Sequence, residues 1–278
     1  MILTKLKTKV PDVQKLAIKL FFSKTAILVY QMGKVGSTTV YFSLKKQFLF
    51  TPVFHVHCLG ERALKEQEKA YQAVGKMPSQ VRHLRHGNFL RNQLNESAII
   101  KWKIITLVRD PIIREISIFF QQKEHRFPNG IDTNEIIDIL QQKFASFKES
   151  TDYVCTWFER EIKSNFNVNV YDFWFDKQKG YCMINKENIG ILIIRLEDLN
   201  NCFNTATKKF FSINKNLDLR AENVASYKEY KAQYIEAIAK IKIPRDVCEL
   251  IYSSRYAKHF YSDEMLNKLI EKWTKESK

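Results

Sequence analysis

The fold is decided by the stretch Ala26-Ile27-Leu28-Val29-Tyr30-Gln31-Met32-Gly33-Lys34-Val35-Gly36-Ser37-Thr38-Thr39-Val40-Tyr41-Phe42-Ser43-Leu44-Lys45. Its first half is a short apolar, β-branched run that suits a strand buried on both faces. Its second half returns to helical spacing at Val40, Leu44 and Phe48. Between them Gly33 and Gly36 permit tight bends and close approach of a ligand, and Ser37, Thr38 and Thr39 can start a helix. A helix start presents unpaired N–H groups, which favour an anion, and Lys34 adds a full positive charge beside them. The stretch therefore reads as strand, phosphate- or sulfate-binding turn, helix. An ordinary capped turn has a similar sequence, so the details matter. A Walker loop for ATP has Lys directly after its last Gly and four residues between its glycines. Here Lys34 precedes Gly36, and only two residues separate the glycines.

Three further stretches repeat the strand pattern. Ile104 to Val108 is a buried strand, ended by Arg109 and by Asp110-Pro111, a helix cap followed by proline at the first helical position. On that helix Asp110, Arg114 and Ser117 share one stripe, while Ile112, Ile116, Phe119 and Phe120 face the core. Arg109 thus leaves its strand at the C-terminal end, where open α/β sheets bind ligands, and Ser117 lies on the same side. Arg114 alone reads as a surface ion pair. Ile191 to Ile194 is another buried strand, running into Arg195-Leu196-Glu197-Asp198-Leu199, whose two carboxylates suit orienting or capping roles. Thr51 to Leu59 is a fourth, with His55 and His57 on one side and Phe54, Val56 and Cys58 on the other. Two histidines do not make a zinc site, which needs three or four ligands; only His83 and His86 stand near enough in sequence to be considered. The alternatives for the pair are half-exposed strand residues or one general base for an acceptor hydroxyl.

Lys-x-Gly-Ser-Thr at Lys34 to Thr38 resembles the 5′-phosphosulfate loop of sulfotransferases that use 3′-phosphoadenosine-5′-phosphosulfate (PAPS). Arg109-Asp110-Pro111-x-x-Arg114-x-x-Ser117-x-Phe119 resembles the segment in which that superfamily holds the 3′-phosphate with an Arg and a Ser eight residues on. Arg195-x-Glu197-Asp198-Leu199 resembles a third segment, found in carbohydrate-type members. The three occur in family order and cover the cofactor half of the chain. The closest resemblance is to bacterial sulfotransferase-like proteins associated with capsular polysaccharide synthesis, which carry similar Gly-Lys-Val-Gly-Ser and Val-Arg-Asp-Pro-Ile segments. The resemblance implies a three-layer α/β/α fold with a P-loop-like parallel sheet, and transfer of a sulfonate from PAPS to a carbohydrate hydroxyl without a metal. It assigns cofactor binding to Gly33, Lys34, Val35, Gly36, Ser37, Thr38, Thr39, Arg109 and Ser117, with Lys34 also catalytic. His57, or His55, would take the proton, although no family motif fixes the base.

The chain of 278 residues suits one α/β domain, with a cofactor half around 24–120 and 190–232 and an acceptor-site insert around 121–189. A net charge of +15 points to an anionic partner: the nucleotide donor, an acidic polysaccharide, a nucleic acid or, peripherally, an anionic membrane surface. No nucleic-acid-binding motif accompanies the charge, so no nucleic acid is expected. A nucleotide-dependent kinase is the other alternative, weakened by the failed Walker spacing. Five widely spaced cysteines without a Cys-x-x-Cys pair, and a basic start without a continuous apolar segment, lead us to expect a cytoplasmic protein. The pattern also predicts a helix over Val13 to Phe22 with Phe21 inward, a helical 61–95 region broken at Gly75-Pro78 and at Gly87, and a short strand or irregular edge at Asn167 to Tyr171. From Ala221 onward it predicts three amphipathic helices, with Lys228 and Lys231 as further candidates to reach the cofactor.

Overall fold

The computed structural model describes residues 12–94, 100–145, 152–219 and 230–274. Five strands make one sheet: β1 (Thr25–Tyr30), β2 (Val53–Val56), β3 (Lys101–Val108), β4 (Tyr181–Lys186) and β5 (Ile189–Arg195), in the order β2-β1-β3-β5-β4. All neighbours are parallel except β4, which pairs antiparallel with β5 at the edge. β1, β3 and β5 are buried along nearly their whole length, because helices cover both faces of the sheet.

The helices follow the α/β alternation. Before β1 comes α1 (Asp12–Phe22), and α2 (Ser37–Gln47) connects β1 to β2. Next, α3 (Glu61–Ala73) and α4 (Arg82–Leu94) lead to β3, followed by α5 (Pro111–Arg126) and α6 (Thr133–Ala145). Then α7 (Asp152–Trp157), a π-helical turn at Phe158–Lys163 and α8 (Ser164–Phe166) run into one another. After β5 come α9 (Leu199–Phe211), α10 (Lys231–Lys240), α11 (Arg245–Tyr252), α12 (Arg255–Phe260) and α13 (Asp263–Thr274). One apolar cluster runs from Leu16 to Trp273 through the sheet, and a smaller one of Cys58, Leu64 and Leu84 lies under α3 and α4.

The strand order locates a crevice. From β1 the chain moves to β2 on one side, and from β3 it moves on toward β5 on the other. The C-terminal ends of the neighbouring strands β1 and β3 therefore form a topological switch point, the place where doubly wound sheets open for ligands. The loops carrying Lys34 and Arg109 both begin there.

Several local expectations are corrected. Phe21 is 84% exposed rather than inward; Leu16 and Leu20 alone make the buried face of α1. Gly87 does not interrupt α4 but lets it pack closely, since a Cβ there would lie 2.8 Å from Leu64 and 3.1 Å from the Cys58 carbonyl. Of the two readings of Asn167 to Tyr171 the irregular one holds: Asn167 ends α8 in the left-handed conformation, and Val170–Asp172 is a single 3-10 turn. Lys228 and most of the segment from Ala221 to Tyr230 lie outside the described residues, while Lys231 opens α10 with its side chain exposed. The terminal helix α13 is preceded by Ser262, whose hydroxyl accepts from the Met265 N–H.

Candidate functional site

The turn between β1 and α2 is shaped by two left-handed residues, Lys34 (φ 70°) and Gly36 (φ 87°). Glycine tolerates that conformation freely, but for lysine it is uncommon and is held by its surroundings. The N-cap position of α2 is Gly36, which has no side chain of its own to cap the helix. Backbone of this kind turns successive N–H groups toward one concavity, which suits an anion. Gly36 also has no room for a side chain, since a Cβ there would fall 2.8 Å from Leu196.

Gln31, the first residue of the loop, ties three strand ends together. Its N–H donates to the Val56 carbonyl at 3.3 Å, its side-chain Oε1 accepts from the Leu107 N–H at 2.9 Å, and its own carbonyl accepts from His57 Nδ1 at 2.8 Å. Its amide nitrogen is buried without a partner.

Arg109 reaches across the crevice from the end of β3. Its Nη1 donates to the Lys34 carbonyl at 2.8 Å and to the Ser117 hydroxyl at 3.0 Å. The Ser117 hydroxyl lies 2.9 Å from that of Tyr234 on α10, which also stands 3.5 Å from Arg109 Nη2. The Arg109 backbone is fixed as well, with both its N–H and its carbonyl bonded to the Tyr256 hydroxyl. The next residue, Asp110, caps α5 through the Ile112 N–H and accepts from the Tyr252 hydroxyl at 3.0 Å. Its own N–H donates to Glu197 Oε1, which Tyr261 also approaches at 3.3 Å. Glu197 therefore orients the loop, as its place in the sequence suggested, whereas Asp198 accepts from Arg195 Nε. Burial pushes the Asp110 and Glu197 carboxyls above their usual range.

Arg114 is not a surface residue. It is 4% exposed, and its Nε donates to the Gly33 carbonyl at 3.0 Å while its Nη1 pairs with Glu115, which also holds Lys143. Two guanidinium groups thus bind the loop carbonyls of Gly33 and Lys34 from the same helix-and-strand unit, fixing the loop and setting positive charge against it.

His57 stands on the other flank of the loop. A carbonyl can only accept, so Nδ1 carries the proton and Nε2 keeps the basic lone pair. Burial holds its pKa down at about 4, leaving the ring neutral at neutral pH. His55 is buried rather than half-exposed. It stacks on Tyr41 with ring centroids 5.3 Å apart, neither of its ring nitrogens has a partner, and burial holds its pKa well below the imidazole range. His83 lies against His57 at 4.2 Å between centroids, and His86 Nδ1 accepts from the His55 N–H. Among the described residues no three His, Cys, Asp or Glu side chains converge as metal ligands.

The turn after β2 rests on Glu161, from the π-helical segment. Its Oε2 accepts from the Tyr30 hydroxyl and from the Leu59 N–H at 2.9 Å. Burial raises its pKa. Of the residues named from the sequence, Gly33, Lys34, Val35, Gly36, Arg109 and Ser117 come together around the crevice; Ser37, Thr38 and Thr39 open α2 at its edge, His57 flanks it, and His55 lies behind. Sequence reasoning missed Tyr234, Tyr252, Tyr256, Tyr261 and Glu161. The one signal was the tyrosine spacing at 252, 256 and 261 in the C-terminal helical region, which puts a second polar rank beside the apolar one.

Residues 129–262 match a protein family described as "Putative capsular polysaccharide synthesis protein". No curated protein and no solved structure matches the chain. The matched span excludes the Lys34 loop and Arg109, yet it contains Glu161, Glu197 and the tyrosines that hold the Arg109-Asp110 segment in place.

Proposed function

We propose that this chain is a sulfotransferase that moves a sulfonate group from PAPS to a hydroxyl of a carbohydrate, a capsular or extracellular polysaccharide or its precursor. The observation that carries this reading is the Arg109 guanidinium, bonded at once to the Lys34 carbonyl and the Ser117 hydroxyl. It puts a cation suited to one phosphate beside a backbone cradle suited to another, which is the charge pattern of a nucleotide phosphorylated at both the 3′ and 5′ positions. The glycine at the N-cap of α2 and the left-handed Lys34 and Gly36 fit such a ligand.

When bound, PAPS supplies an activated sulfonate and a bisphosphate leaving group. Lys34 and the N–H groups of Gly36 to Thr39 oppose the charge that gathers on the departing oxygen. Arg109 and Ser117 hold the 3′-phosphate and so select against ATP. His57, with Nε2 as its basic atom, accepts the proton of the acceptor hydroxyl. The similarity of residues 129–262 to a polysaccharide-synthesis family supports a carbohydrate acceptor.

Calorimetric titration with adenosine 3′,5′-bisphosphate, AMP, ATP with magnesium, and random oligonucleotides tests the reading. Preference for the bisphosphate is expected, and Arg109→Ala removes it. Tighter binding of ATP would favour a kinase, and tighter binding of oligonucleotides a nucleic-acid-binding protein; either result overturns the proposal.

A further inference from the structure

The helix α1 has two apolar faces, and the fold uses only one. Leu16 and Leu20 are buried. Ile18, Phe21 and Phe22, at i, i+3 and i+4, form a second stripe turned away from them, and they are 58%, 84% and 80% exposed. A second exposed apolar pair, Leu49 and Phe50, follows α2. The Lys19 ammonium donates to the Leu49 carbonyl, so the two elements make one surface. Exposed apolar residues gathered in this way, beyond scattered single ones, mark an interaction site.

The charge around the patch is mostly positive: Asp12, in the first turn of α1, is paired with Arg85. From Val13 to Gly60 the chain contains no Asp or Glu and carries Lys15, Lys19, Lys24, Lys34, Lys45 and Lys46. All of these except Lys34 belong to α1, to α2 or to the short connection into β1. Lys101, exposed at the start of β3, adds to them, its N–H donating to the Lys24 carbonyl at 2.9 Å. One exposed acidic residue from elsewhere, Asp218, reaches Lys46 at 3.1 Å. A set of bulky apolar side chains ringed by lysines is the chemistry of a surface that lies in the headgroup layer of an anionic bilayer.

We propose that the α1 and Leu49–Phe50 face docks on an anionic lipid surface, with the aromatic rings entering the headgroup region and the lysines pairing with lipid phosphates. The chain attaches peripherally there, since no described helix is long and apolar enough to cross a membrane. The patch sits at the N-terminal ends of β1 and β2, strands in register at Ile27 and Val53. The Lys34 loop leaves the other end of β1, so the crevice opens away from the lipid. Docking and nucleotide binding are therefore separable.

Co-sedimentation of the full chain with phosphatidylcholine vesicles, with and without phosphatidylglycerol, tests this. Binding only to the anionic vesicles is expected, weakening as salt rises. Because the whole protein is basic, the deciding variant keeps its charge: Phe21→Ser, Phe22→Ser, Leu49→Ser and Phe50→Ser together should weaken binding about tenfold or more. Circular dichroism and urea unfolding, neither of which depends on the proposed chemistry, check that this variant folds. As a second probe, the Phe50→Trp variant should show a blue-shifted emission on anionic vesicles and quenching by brominated lipid. Unchanged sedimentation of the four-serine variant, absence of any vesicle binding, or an unshifted emission from the vesicle-bound Phe50→Trp variant overturns the proposal. So does a dilution-dependent dimer that the serines abolish in protein that ignores vesicles, because a second copy would then be the occupant.

Discussion

The Tyr256 hydroxyl accepts from the Arg109 N–H at 2.9 Å and donates to the Arg109 carbonyl at 3.0 Å, so one side chain clamps both polar backbone groups of the residue that carries the candidate anion ligand. Tyr256 is fully buried, and without its hydroxyl the two groups lose their partner. Tyr256→Phe is expected to destabilise the fold by about 1–3 kcal/mol. In urea titrations its loss should match that of Tyr252→Phe, which removes a bond to Asp110 instead. Only Tyr256→Phe should also weaken bisphosphate binding more than AMP binding, because it alone frees the Arg109 backbone.

Gly36→Ala places a Cβ 2.8 Å from Leu196 on a residue held at φ 87°. The backbone strain and the overlap should together cost about 2–4 kcal/mol, read as a lowered urea midpoint. Gly33→Ala meets nothing within 4 Å and serves as the control, with little change expected.

If His57 is the base, its pKa of about 4 sets the shape of the pH profile. An ordinary imidazole base would lose about tenfold in kcat/KM between neutral pH and about pH 5.5. Here sulfonate transfer should stay flat across that interval, and His57→Ala should lower kcat while leaving bisphosphate affinity unchanged. An acid limb near the usual imidazole pKa would assign the proton to another group.

The same burial makes the fold sensitive to acid. His57 and His86 are held at about 4 and His83 at about 2, while their unfolded forms take protons near 6.5. A folded pKa below the unfolded one means that the unfolded chain binds more protons in the interval between them. Their contribution to stability is therefore complete above about pH 6.5 and falls as pH drops toward about 4. The buried Asp110, Glu161 and Glu197 carboxyls work the other way: raised above their unfolded values, they favour the folded state as pH falls. Because His55 and His259 are depressed as well, the histidines outnumber the carboxyls. Unfolding is therefore expected to take up protons on balance near pH ~5.5. His83→Gln should make that slope shallower, as followed by urea midpoints across the interval.

How much of this was legible in the sequence depended on the range of the interaction. The strands β1, β3 and β5 announce themselves through apolar runs, β2 through its alternation, and the Asp110 cap through its proline, because those signals are local. Phe21 is misplaced by its spacing because α1 has apolar residues on both faces, and periodicity alone does not say which face a sheet will cover. Arg114 reads as a surface residue because one of its partners, the Gly33 carbonyl, comes near only when the loop folds over α5. The clamp on Arg109 is invisible for the same reason: Tyr256 lies 147 residues away. Sequence alone shows which side chains could grip an anion, but not what holds the grip still.

Gln31 sets how far the sheet closes at its ligand end. After Val29 and Ile105 the paired register of β1 and β3 ends, and the Leu107 N–H is met by the Gln31 amide oxygen instead of a main-chain carbonyl. The carboxamide thus supplies the rung where main-chain pairing stops, while the Gln31 main-chain oxygen accepts from the imidazole of His57. One residue therefore ends the ladder with its side chain and sets the tautomer of the neighbouring imidazole with its backbone, so a shorter side chain there would leave the Leu107 N–H without its acceptor.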